Sequence, residues 1–145
     1  MFKLANLVLI FGLLASCAKV PLADPANDSE VKTFLPLPDK AVVYIYRDSS
    51  ILGSAFTIPV YVDNAPVAEF GMGCFVRVEL VPGIHKLGSV GGSDANVLLN
   101  SFAGRVYFVR EFIGFGGVYL SKLVDESEGR ACVSKCKLVR AVTSQ

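Results

Sequence analysis

The chain contains no tryptophan and a single histidine, His85. One imidazole leaves little material for acid–base or nucleophilic chemistry, which needs a base, a nucleophile and an orienting group together. Charge is scarce too. Only 19% of residues are Asp, Glu, Lys or Arg, and the formal net charge is +1. That balance excludes the basic surface on which nucleic-acid binding depends. A membrane-spanning helix needs ~20 apolar residues, whereas the apolar run from Leu4 to Ala15 has 12. What is abundant is apolar side chain, 52% of the sequence, too much for a disordered chain. A length of 145 residues suits one domain.

The N-terminus carries a processing signal. Lys3 is the only charge in residues 1–16, and it precedes the short apolar run and the small residues Ala15 and Ser16. This is the layout of a secretory signal peptide. Leu14-Ala15-Ser16-Cys17 resembles the lipobox of bacterial lipoproteins. The chemistry needs that order: a thiol to take the lipid, small residues before it to enter a peptidase, and a new amine on Cys17 after cleavage. A plain signal peptide followed by a coincidental cysteine is the alternative. Removing Lys3 leaves 13 basic and 13 acidic side chains, so membrane attachment must come from the lipid on Cys17. Ala18 stands where an Asp would retain an enteric-type lipoprotein at the inner membrane. The expected location is therefore the outer membrane, facing the periplasm.

Residues 17–38 read as the lipidated cysteine and a flexible tether, with Pro21, Pro25, Pro36 and Pro38 set among polar residues. About twenty residues of loose chain would span roughly 25 Å. From residue 39 to 145 the pattern is that of an all-β domain, an antiparallel β-sandwich of about eight strands. The expected strands are Ala41–Arg47, Thr57–Asp63, Val67–Phe70, Phe75–Val81, His85–Val90, Val97–Phe102, Val106–Phe112 and Val118–Val124. Pro59 cannot donate to a ladder, which predicts an edge strand or a bulge. The expected core is Val43, Ile45, Val60, Val62, Val76, Val78, Phe108 and Leu123, although Val42, Tyr44 and Tyr46 make either face of the first strand apolar. Acids at Asp125, Glu126 and Glu128 and bases at Lys135 and Lys137 predict a short C-terminal helix over about 126–136, weakened by Gly129.

The stretch YVDNAPVAEF from Tyr61, followed by FVRVELVPGIHKL from Phe75, resembles the PEGA-type β-module. Val42 to Arg47, Val106 to Arg110 and Leu123 to Glu126 extend the likeness to an uncharacterised family of lipid-anchored bacterial domains. The resemblance implies a β-sandwich and an envelope location. Its motifs are structural, so it carries no catalytic residue to this chain.

Candidate chemistry is sparse. His85 reads as a turn histidine with a local hydrogen bond. In an exported protein Cys74, Cys132 and Cys136 are open to disulfide formation. Cys132 and Cys136 are the candidate pair, although in an intact helix their Cβ atoms would stand ~6 Å apart, longer than a disulfide prefers. Cys74, His85, Cys132 and Cys136 include the ligand types of a zinc site, but their spacing does not fit one. No cofactor or metal is expected. The glycine-rich stretches lack the following helix that a phosphate cradle needs, and read as bulges and turns. Glu69, Glu79 and Glu111 are expected to face water. Phe115, set between glycines, is expected in the core, with presentation to a partner as the alternative.

These readings make the chain a non-catalytic, lipid-anchored interaction or binding module of the cell envelope. Its partners would be the membrane, through Cys17, and an envelope protein, with no nucleic acid. A peptidoglycan- or glycan-binding module is the alternative, and an enzyme comes third. The candidate surface lies on the loops 49–56 and 114–117, with Leu52 and Phe115 as apolar contacts and Arg47 and Arg110 as a basic rim.

Overall fold

The computed structural model describes residues 20–50, 54–89 and 95–142. The first element is not a strand. Asp24 caps a short helix, α1 (Pro25–Val31), by accepting the Ala26 N–H at 2.8 Å, and Pro25 opens the helix where no N–H is needed. Among the described residues nine strands follow: β1 (Ala41–Arg47), β2 (Ile58–Val62), β3 (Ala65–Phe70), β4 (Cys74–Leu80), β5 (Gly83–Gly88), β6 (Val97–Ser101), β7 (Val106–Ile113), β8 (Tyr119–Val124) and, after helix α2 (Glu126–Lys135), the short β9 (Lys137–Leu138). They form two sheets, ordered β8-β7-β1-β4-β9 and β3-β2-β5-β6, packed as a sandwich.

The sandwich is not wholly antiparallel. β1 runs parallel to β7, and β4 runs parallel to β9. β1 is buried along its whole length. Val43 and Ile45 enter the core between the sheets, whereas Val42, Tyr44 and Tyr46 enter a second core on the opposite face. There Tyr44 stacks on Phe108 with ring centroids 5.3 Å apart, and Phe34 meets Tyr44 edge-on at 5.0 Å. Of the expected core, Leu123 is the exception. It lies on the edge strand β8 and is 45% exposed. Val78 is partly buried against the inter-sheet core.

Residues 20–38 do not form the expected loose tether. Val20 and Phe34 are buried, and Leu22 bridges Val139. Asp28 on α1 accepts the Leu138 N–H at 2.7 Å, and Lys32 donates to the Cys136 carbonyl at 2.6 Å. The prolines here punctuate a packed segment.

Pro59 sits on an interior strand, and the bulge it predicts falls between Val60 and Tyr61. Asp63 and Asn64 both take positive φ, 49° and 66°, the two left-handed positions of a tight β2–β3 hairpin turn. His85 closes the same corner. Its Nδ1 lies 2.6 Å from Asp63 and its Nε2 2.7 Å from the Val81 carbonyl. With acceptors at both nitrogens, the hydrogen bond to Asp63 favours the imidazolium and outweighs burial, so the pKa is raised.

α2 forms as its charges predict, with Asp125 as the cap accepting the Glu128 N–H at 2.9 Å. Gly129 has a packing reason. A Cβ there would lie 2.1 Å from Cγ of Phe108, so only glycine lets this turn of the helix close onto β7. Gly129→Ala is therefore expected to destabilise. The helix-propensity gain of about 1 kcal/mol is outweighed by overpacking of about 1–3 kcal/mol. Urea unfolding of the single variant, and of the double variant with Phe108→Leu, checks this: the second change should recover part of the loss.

Candidate functional site

Because β1 and β7 are parallel, the loops that follow them leave the sheet at the same end. The two loops read as a candidate surface are thereby brought together, and the Tyr119 hydroxyl joins them by donating to the Thr57 carbonyl at 3.5 Å. Phe115 is not in the core. It rides a 3₁₀ turn (Phe115–Gly117) in which Gly116 and Gly117 both take φ near 80°, and its ring is fully exposed. Phe56, on the neighbouring loop, is 63% exposed, and Val118 is exposed beside Phe115. Leu52 lies outside the described residues, as does Cys17.

The two arginines do different work. Arg47 is buried rather than on a rim. Its Nη1 donates to the carbonyls of Phe56 at 2.6 Å and Phe70 at 3.4 Å, tying the β1–β2 loop to the end of β3. Arg110 is partly exposed, paired with Asp48 at 2.5 Å and placed over the Phe112 ring at 5.5 Å. A cleft of about 160 Å³ opens between them, lined by Arg47, Asp48, Ser50, Arg110, Phe112 and Ile113. With Asp48 neutralising Arg110, this is a mixed apolar and polar notch and not an anion cradle.

Behind this end lies a group that was expected to face water. Glu111 is completely buried between the sheets. One carboxylate oxygen accepts the hydroxyls of Ser89 at 3.0 Å and Ser121 at 2.8 Å. The other, Oε1, has no hydrogen-bond partner among the described residues, nor has the nearby buried Oδ1 of Asn96. Burial is the dominant influence and outweighs both hydroxyls, so the carboxyl is pushed up to about 7. Strand parity carried the signal: Glu111 shares a face with Val109, which lies in the inter-sheet core.

Among the described residues no disulfide joins Cys132 to Cys136. Cys136 ends α2 in an extended conformation that turns its sulfur towards the Arg47 carbonyl, 3.6 Å away. Cys132 stays on the helix beside Tyr46. Burial first, and this thiol second, raise the Tyr46 phenol well above its ordinary value. Among the described residues, no group of three or more His, Cys, Asp or Glu side chains converges to hold a metal ion. Cys74, His85, Cys132 and Cys136 are thus not brought together.

Residues 38–121 match the family model described as protein of unknown function (DUF2846). The chain belongs to the DUF2846 family. The match runs from just before β1 into β8, so it takes in the four-stranded sheet and most of the five-stranded one. A relative from Haemophilus influenzae, named only as an uncharacterized protein, is 32% identical over 146 residues, covering 95% of this chain and 84% of the relative. No solved structure matches. Among the described residues no helix is long and apolar enough to cross a membrane.

Proposed function

We propose that this DUF2846 protein is a non-catalytic module of the bacterial cell envelope. An acyl group on Cys17 holds it at the membrane, and the loops carrying Phe56 and Phe115 contact an envelope protein. The observation that supports the contact is Phe115, a fully exposed aromatic ring on a two-glycine turn at the sandwich end that also displays Phe56. A monomer gains nothing from holding such rings in water, and aromatic anchors on loops of a rigid scaffold are the usual material of protein contacts. The order Leu14-Ala15-Ser16-Cys17 supports the anchor, and Ala18 favours the outer membrane.

Two variants test the reading in cells. Cys17→Ser should end incorporation of labelled fatty acid, because a hydroxyl does not replace the thiolate. Phe56→Asp with Phe115→Asp should weaken crosslinking to the partner while leaving the melting temperature nearly unchanged, since neither ring packs in the core. Persistent labelling would remove the anchor. Undiminished crosslinking at unchanged stability would place the contact elsewhere, and sedimentation with purified sacculi would favour the glycan-binding alternative.

A further inference from the structure

The path of the chain ahead of α1 determines which end of the sandwich lies nearest the anchor. Leu22 bridges Val139 in antiparallel fashion, the Ala23 N–H donates to the Leu138 carbonyl at 2.9 Å, and the Arg140 N–H donates to the Pro21 carbonyl at 2.9 Å. β9, at the start of that segment, runs parallel to β4. Traced backwards from Ala23 to Val20, the chain therefore travels along β4 from its Cys74 end towards its Leu80 end. That is away from the Phe56 and Phe115 loops, because Cys74 pairs with Arg47 at the end of β1. Only Ala18 and Lys19 stand between Val20 and Cys17. Three residue steps reach at most ~11 Å fully extended. With Val20 packed into the core, no long spacer remains to hold the domain off a membrane.

The Leu80 end displays apolar surface. Val81, Ile84 and Phe102 are 64%, 74% and 57% exposed. They are neighbours: Val81 leads into the turn before β5, Gly83 pairs with Ser101, and Ile84 pairs with Asn100. Their backbone is firmly held. The Ser101 hydroxyl donates to the Val81 carbonyl at 3.3 Å, and the Phe102 N–H donates to the Tyr107 hydroxyl at 3.1 Å. The surrounding charges nearly balance: Glu79 is shared between Arg77 at 2.6 Å and Lys40 at 3.5 Å, and exposed Arg105 lies alongside exposed Asp39. Such a rim carries little net charge, so the apolar side chains must supply most of the attraction.

We infer that the corner formed by Val81, Ile84 and Phe102 rests on the bilayer that holds the Cys17 lipid, with the Phe56 and Phe115 end pointing away from it. This rests on the anchoring reading above, and it adds the face that meets the lipid and the orientation of the contact loops.

The absence of tryptophan makes the test direct. The full-length lipidated protein, carrying either Phe102→Trp or Phe115→Trp, is reconstituted into phosphatidylcholine vesicles with and without bromine on the acyl chains. The Phe102→Trp protein should emit further to the blue and lose emission to brominated lipid. The Phe115→Trp protein should be unaffected. Quenching of Phe115→Trp, or of neither, in protein that carries the fatty acid overturns the inference and leaves the anchor standing. A native chain without fatty acid removes the anchor, and this orientation falls with it.

Discussion

A chain that begins at Asp39 is expected to lose most of its folding stability, although it keeps β1 to β9. The deletion removes Val20 from the inter-sheet core and Phe34 from the aromatic cluster, and it strips α1 from the flank of β9. Tyr44, Phe75 and Phe108 would then face water on one side. Removal of one buried phenylalanine side chain alone costs about 3–5 kcal/mol, against a total of about 5–15 kcal/mol for a domain of ordinary size. The shortened chain should show a shallow, early urea transition and bind hydrophobic dye. A sharp transition at the midpoint of the longer chain would mean that residues 20–38 merely lie on a core that is complete without them.

Glu111→Gln is expected to stabilise the protein above neutral pH. The folded carboxyl keeps its proton to about 7, against an ordinary value of 4.5. Between those values the folded state binds the proton better than the unfolded state, so stability falls as pH rises through the window. The full effect is about 3 kcal/mol. Glutamine can still accept from Ser89 and Ser121 and carries no charge at any pH. At pH 5 the two proteins should therefore be nearly equal, and at pH 8 the variant should lead by about 2–3 kcal/mol in urea unfolding. His85 contributes a slope of the same sign. Its raised pKa gives stability that is complete below the unfolded value and lost as pH rises through the folded one. Glu111→Gln combined with His85→Gln separates the two. If the single variant declines with pH as steeply as the parent, the slope does not come from Glu111.

Much of the sheet architecture was legible because alternation and turn residues report local geometry. Phe75 to Val81 alternates and Val106 to Phe112 is rich in β-branched and aromatic residues, and both lie on strands within a residue or two of where the pattern put them. The pairing of β1 with β7 was not legible, since direction across a sheet is set by connections and not by the residues of either strand. The two buried faces of β1 are visible as a seven-residue run, AVVYIYR, but the run does not say what covers the second face. That cover comes from α1, α2 and Phe34. Asp24-Pro25 is a cap followed by a first-turn proline, a start signal obscured by the other prolines around it. Arg47 and Glu111 were misplaced for a different reason. Charge suggests water, yet each is buried where backbone carbonyls or hydroxyls take the place of solvent.

The parallel pairing of β1 with β7 also governs how the chain can reach its native state. Val42 lies opposite Val106, a separation of 64 residues. Closing a loop of that length carries an entropic cost before any ladder bond forms, and pairings so distant in sequence place a domain among the slower folders. A chain emerging from its N-terminus has made the four strands of β1 to β4 well before it makes β7. Until then the central strand has only one neighbour, and the aromatic face meant for α2 has no helix to meet. The architecture therefore assembles late, as a whole, and remains an open polypeptide for most of its emergence.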